Sequence, residues 1–297
     1  MTDRLLGSGL IIVDKPAGMT SHDVISRLRR IFGTRRVGHA GTLDPMATGV
    51  LVVGIERGTR FLAHLVTETK TYRATIRLGA STTTDDAEGD ITSRTDTTDV
   101  TETLIDAAIA QLTGDIMQKP AAVSAIKIDG KRAHERVRDG ETVDIPARPV
   151  TVHRFDVLDR RSVDGYIDLD VDVFCSSGTY IRSLARDLGN ALGVGGHLTA
   201  LRRTTVGPFD LTHARTLEEL EDNPQLSLTL DQALAASFPI LRVSGEEGHK
   251  LAMGQWLEPR GLKGIHAAVT PDGQAVALVK EKGKRLATVF VARPSTL

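Results

Sequence analysis

A period of two residues is the feature that most restricts what this chain can become. Between Thr71 and Gly79, Tyr72, Ala74, Ile76 and Leu78 alternate with Arg73, Thr75 and Arg77. Further on, Ile167, Leu169, Val171, Val173 and Cys175 alternate with Asp168, Asp170 and Asp172. That pattern makes a strand with one dry and one wet face. Other stretches carry helical spacing. Val24, Ile25, Leu28, Ile31 and Phe32 fall on one side of a helix that Ser21 can cap. Ile181, Leu184, Ala185, Leu188 and Leu192 do the same after the break at Ser176-Ser177-Gly178, leaving Arg182 and Arg186 on a face turned outward or toward a cleft. A third helix is expected with Leu104, Ile105, Ala108, Ile109 and Leu112 inward, closed by Gly114. These elements follow no regular β-α alternation, which predicts an α+β fold. From Phe238 onward short strands, Gly turns and one small helix predict a separate unit of about 60 residues.

Charge and composition narrow the chemistry. Lys+Arg at 37 against Asp+Glu at 38 excludes a uniformly basic coat, so a polyanion must meet a local patch. Residues 81–110 hold eight acidic side chains and one Arg, whereas residues 119–138 hold six basic and two acidic. With Arg27, Arg29, Arg30, Arg35 and Arg36, the second of these offers a directed basic surface. The single cysteine, Cys175, excludes an intramolecular disulfide, a Cys-rich zinc site and an iron–sulfur cluster, and reads as a small core residue. Phosphate-loop, dinucleotide, nucleophile-elbow and His-Glu-x-x-His motifs are missing, so no cofactor and no metal are expected. No run approaches 18 apolar residues, and a cytoplasmic protein without a membrane partner is expected.

Asp44 stands in GHAGTLDPMATG, residues 38–49, where small residues let a planar substrate approach the backbone. A carboxylate held there can act as nucleophile or base, although Asp-Pro also simply starts turns. Arg182 can pair with a carboxylate and keep it ionised, or sit on a solvated helix face. Tyr72 reads as a core ring or a stacking platform. His39, beside the loop, can occupy the hole left by an extruded base.

Five segments in order carry a family resemblance: DKPAGMTSHDV (14–24), GHAGTLDPMATG (38–49), KTYRATIRLG (70–79), SSGTYIRSLARDLG (176–189) and HLTALRRTTVGPF (197–209). Together they resemble the TruB family of tRNA pseudouridine synthases over roughly residues 8–235. The resemblance implies a pseudouridine synthase fold, with a mixed, largely antiparallel central sheet and flanking helices over residues 1–236. It also implies a small β-rich PUA-like RNA-binding domain over 237–297, and an RNA-gripping insertion near 119–150. The implied reaction is isomerisation of uridine 55 in the TψC arm of tRNA. Asp44 is then the catalytic carboxylate, Tyr72 stacks on the target base and helps move its proton, and Arg182 pairs with Asp44. His39 fills the vacated stack, and Lys15, Tyr180 and Leu201 line the pocket. Ser124 to Lys127 resembles an RNA-contacting element, with Lys127 its cation, while Val123 and His134 stand where relatives often carry tyrosines. A monomer without an obligate protein partner is expected. Two other readings fit the same surface: a non-catalytic tRNA-binding chaperone, and a guide-RNA-dependent synthase.

Overall fold

The structure is a computed structural model that describes residues 5, 7–66, 68–121 and 145–295, together with the main chain of 127–128 and 131–132. The expected RNA-gripping insertion, including Val123, Ser124 and His134, lies almost wholly outside the described residues. The chain divides into two compact units: one of residues 1–45, 49–66 and 207–297, the other of residues 46–48 and 67–206.

In the first unit the central strand is Gly9–Lys15, antiparallel to Thr48–Ile55 in the register Gly9↔Ile55 to Lys15↔Gly49. Ala214–Arg215 pairs with it in parallel and Leu228–Thr229 antiparallel, while Val37–Ala40 flanks Thr48–Ile55. Leu10 to Val13 are all buried with no alternation, as a strand covered on both faces requires. Helices Leu217–Asp222 and Leu230–Ser237 pack on this strand. Gly58 lets helix Gly58–Phe61 close on the strand, since a Cβ there would stand 2.0 Å from the Gly9 carbonyl oxygen. Helix Ser21–Ile31 buries Val24, Ile25 and Leu28 as expected. Its cap is Thr20 rather than Ser21: the Thr20 hydroxyl accepts from the Asp23 N–H, and the Asp23 carboxylate accepts from the Thr20 N–H. Ser21 is thereby released for another task.

The C-terminal part of this unit is a four-stranded sheet in the order Ile240–Arg242, Ile265–Val269, Ala275–Lys282, Arg285–Val291. Its first pair is parallel and the others antiparallel. It closes its own core around Leu251, Leu257, Ala268, Val279 and Leu286 under helix Gly245–Ala252. Polar ties run from this sheet to the rest of the unit. The Asp231 carboxylate accepts from Arg293 at 2.6 Å and from the Ala275 N–H at 2.7 Å, and Arg57 donates to the Val291 carbonyl. The Phe61 ring meets Phe238 and Phe290 at 6.1 and 6.2 Å.

The main sheet of the second unit pairs antiparallel in the strand order Gly196–Val206, Lys70–Leu78, Tyr166–Cys175, Arg148–Val163, Gly114–Gln118. The alternation at 71–79 appears as Tyr72, Ala74, Ile76 and Leu78 buried. Helix Ile181–Ala191 packs on strand Gly196–Val206 and meets helix Glu102–Gln111. Two expectations change. Leu104 lies on the outer side of its helix, 51% exposed, because burial falls on Ile105, Ala108 and Ile109. The aspartates of strand Tyr166–Cys175 are not simply wet either. Arg77 grips the buried Asp168 with two bonds of 2.8 Å, and Asp170 accepts from Thr75 and Arg161. The architecture is the expected α+β one, with mixed, largely antiparallel sheet strands, flanking helices and a small β-rich C-terminal portion.

Candidate active site

Asp44 is half-buried, and the chain is held on both sides of it. The buried Ser21 hydroxyl accepts from the Leu43 N–H at 2.9 Å and donates to the Leu43 carbonyl at 3.1 Å. The Pro45 carbonyl accepts from the Gly18 N–H at 2.8 Å and from the Lys15 ammonium at 3.2 Å. Lys15 is 0% exposed, and its ammonium also donates to the carbonyls of Pro16 and Met19 at 2.8 and 2.6 Å. A buried ammonium with several carbonyl acceptors is a rigid post. The turn DKPAG that precedes the helix and the loop that follows it are therefore stitched together, with the Asp44 carboxylate presented from a fixed backbone. Lys15 and Asp44, both expected in the site, are brought together here by the loop. His39 sits in strand Val37–Ala40 opposite Val53 and is half-buried.

In the second unit Tyr72 and Leu201 share one sheet face. Arg203 stands opposite Tyr72 and Leu201 opposite Ala74 on the neighbouring strand, where register shifts flank the pairing. Beside Leu201 opens a groove of about 520 Å³ whose lining includes Met46, Thr48, Arg73 and Arg202. Arg202 donates to the Thr48 hydroxyl at 3.2 Å across it. Tyr180 and Arg182 stand together at the start of helix Ile181–Ala191, Tyr180 half-buried as its N-cap. Arg182 is buried, not turned out to solvent: its guanidinium donates to the Thr84 carbonyl at 3.1 Å and lies 3.5 Å from the Asp86 carboxylate. The Lys127 main chain pairs with Arg132, and its side chain lies outside the described residues.

Several residues of this arrangement were not singled out from the sequence. Ser21 looked like a cap. Asp86 is one of many carboxylates in an acidic stretch. Lys70 and Arg203 are both buried, Arg203 at 1% exposure, on the face that carries Tyr72. Burial and the nearby Arg203 charge hold the Lys70 amine down to about 8, and that amine donates to the Glu68 carbonyl at 2.7 Å. Lys70 could have been found, since it keeps the period-two phase of Tyr72; the bulges around Arg203 hide its phase. Burial also pushes the Cys175 thiol up to about 11, in keeping with an inert core residue. Among the described residues no cluster of His, Cys, Asp and Glu could hold a metal ion. Chemically, the first unit offers a carboxylate on an immobilised loop, and the second offers a buried guanidinium, a buried phenol and buried cations behind it. Such groups suit charge stabilisation and proton movement in a dry site.

Comparison with known proteins bears on the family of the chain. Residues 29–181 match the TruB family pseudouridylate synthase N-terminal domain. Residues 182–236 match the tRNA pseudouridylate synthase B C-terminal domain, and residues 238–293 the C-terminal domain of tRNA pseudouridine synthase II. The chain is 72% identical, over the full length of both proteins, to tRNA pseudouridine synthase B of Corynebacterium efficiens. It is 57% identical to that of Rhodococcus jostii over 99% of this chain and 96% of the relative. Among solved structures, a Cbf5-Nop10-Gar1 complex contains a chain matching at TM-score 0.74 and 28% identity, covering 98% of this chain and 87% of the other. An H/ACA RNP bound to a substrate RNA contains another at TM-score 0.72 and 27% identity, covering 96% and 85%.

Proposed function

Because this chain belongs to the TruB family of pseudouridylate synthases, it converts uridine in tRNA to pseudouridine, and we propose that the target is uridine 55 of the TψC arm and that Asp44 carries the reaction. The observation behind the second half is the double anchoring of Leu43 and Pro45, which holds the main chain on either side of the one carboxylate in that loop. A catalytic group has to be held within fractions of an ångström, and a backbone tied on both sides achieves that without strain.

The isomerisation breaks the N1–C1′ bond, turns the base over and joins C5 to C1′. The C5 proton is lost and N1 regains one, so atoms and electrons balance with no oxidant, reductant or cofactor. Asp44 attacks the everted nucleoside through a carboxylate oxygen, and that bond breaks again before pseudouridine leaves, which returns the carboxylate. Tyr72 stacks on the ring and assists the proton transfer, and the Arg182 guanidinium pairs with the Asp44 carboxylate. Extruding a base from a folded arm costs a few kcal/mol, offset by His39 filling the vacated stack and by phosphate contacts from the arginines near helix Ser21–Ile31 and from Lys127. Lys15, Tyr180 and Leu201 complete the pocket wall, Lys15 from beneath the loop. Residues 1–236 form the catalytic domain and residues 237–297 a PUA-like RNA-binding domain. The latter holds nine Lys and Arg against five Asp and Glu, a local basic excess in a protein of net charge -1. The protein works as a cytoplasmic monomer that needs no guide RNA. Full-length likeness to proteins named tRNA pseudouridine synthase B supports a tRNA substrate over the guide-dependent reading.

The test uses the purified chain alone with unmodified tRNA. Wild-type protein produces one pseudouridine at position 55, and Asp44→Asn lowers the single-turnover rate by a factor on the order of 1,000 or more while tRNA affinity changes less than about threefold. Turnover by the Asn variant, or dependence on an added guide, would sink the reading.

A further inference from the structure

Among the described α-helices of six residues or more, all but one are capped in one way. Thr20, Thr101, Thr216, Thr229 and Ser244 each offer a hydroxyl to the first turn of the helix that follows. Helix Ile181–Ala191, eleven residues long, starts instead at Tyr180, whose side chain makes no capping bond. What holds that start is Gln118, the last residue of strand Gly114–Gln118 and 1% exposed. Its carboxamide oxygen accepts from the Tyr180 N–H at 2.8 Å, and its NH₂ donates to the Tyr180 carbonyl at 3.1 Å. The two partners dictate which end of the amide is which, since one needs an acceptor and the other a donor. The same carbonyl also accepts the helix's own first bond, from the Leu184 N–H at 3.2 Å. Both main-chain groups of Tyr180 are thus spent.

A second tie joins the same two segments. Arg186, on the same helix, donates to the carbonyl of Lys119 at 2.7 Å, next in sequence to Gln118. Burying a primary amide is unfavourable unless its donors and acceptor are satisfied. A hydroxyl-bearing cap would have anchored the helix without it. What Gln118 adds is a fixed orientation of the Tyr180 main chain (φ −102°, ψ 113°), and with it the direction in which the ring leaves the backbone.

We propose that Gln118 is a positioning residue for the isomerisation, acting through the Tyr180 main chain to aim the Tyr180 ring at the nucleoside. This rests on the placement of Tyr180 in the substrate pocket. Among the replacements, Gln118→Met keeps length and bulk but makes neither bond. Gln118→Glu keeps the shape and the bond from the Tyr180 N–H and loses the donor.

The experiment measures the single-turnover rate of pseudouridine formation and the tRNA dissociation constant with the full chain, in a wild-type and in a Tyr180→Ala background. The expected result for Gln118→Met is a rate about tenfold lower with affinity within about twofold, and for Gln118→Glu a smaller loss, about threefold. In the Tyr180→Ala background both substitutions change the rate by less than about twofold, because the ring they aim is gone. Equal losses in the two backgrounds would show that Gln118 only supports the fold, and unaltered rates in the wild-type background would show that it does not matter; either overturns the proposal. A Tyr180→Ala rate equal to wild type is a different result, which removes Tyr180 from the pocket and this proposal with it. If Gln118→Met does not fold, Gln118→Glu alone decides by the same comparison.

Discussion

Leu43 and Pro45 are held by polar bonds so that the residue between them has a defined direction, and neither bond is visible in a list of residue types. The sequence singled out Asp44 because the Asp-Pro loop is bordered by glycines and stands inside a set of ordered motifs, although the same residues also start turns. The serine that grips the loop was not legible, since Ser21 looks like a helix cap until the chain folds back, and Lys15 was expected in the pocket wall but not as a buried tie to the Pro45 carbonyl. Lys70, whose burial the period-two phase of Tyr72 does signal, yields a pH prediction. Its amine is held down to about 8 by burial, against 10.5 in the unfolded chain. Above pH 8 the unfolded state therefore binds more protons than the folded one, and this lysine makes stability rise with pH between those values. The Cys175 thiol, pushed up to about 11, acts in the opposite sense above about pH 9. Between pH 7.5 and 9 the urea midpoint of the wild-type protein should therefore gain on that of Lys70→Met, whose own midpoint lacks this contribution. Parallel curves for the two proteins across that window would show that Lys70 is not strained by burial.

At the scale of one element, helix Ile181–Ala191 carries both Tyr180, at its cap, and Arg182, and its seat is set by glycine. A Cβ on Gly189 would stand 2.1 Å from the Gly195 carbonyl carbon and the Gly196 nitrogen, contacts no real Cβ makes. Gly189→Ala should therefore lift the helix off strand Gly196–Val206 at a cost of about 1–3 kcal/mol in urea denaturation, with the single-turnover rate falling as Arg182 moves with it. An alanine variant with wild-type midpoint and rate would mean that the helix has slack. The helix was legible from its spacing of Ile181, Leu184, Ala185 and Leu188, because burial of a stripe is a local pattern. The burial of Arg182 was not, since a period of 3.6 assigns a side without saying what lies against it. Leu104 failed for the same reason: its helix has apolar residues on more than one side, and packing chose among them.

For the whole molecule, sequence order and spatial order part company. Residues 1–45, 49–66 and 207–297 form one compact unit although 140 residues of the other lie between Val66 and Gly207. Asp231 marks the dependence of this unit on contacts remote in the chain, bonding Arg293 and the Ala275 N–H. Asp231→Ala leaves both donors short of an acceptor and should cost about 1–3 kcal/mol, read as a lower melting temperature, while the single-turnover rate at 25 °C stays within about twofold. A melting temperature equal to wild type would show these bonds to be idle. Periodicity, turn chemistry and ordered motifs by themselves indicated the main strands and helices and the family, because each is a relation among near neighbours. Only the tertiary structure decided which polar side chains go inside: Ser21, Lys15, Lys70, Gln118 and Arg182 are buried with hydrogen-bond partners brought in by the fold, several of them remote in the chain. A polar group's fate depends on whether such a partner arrives, and that is a property of the fold.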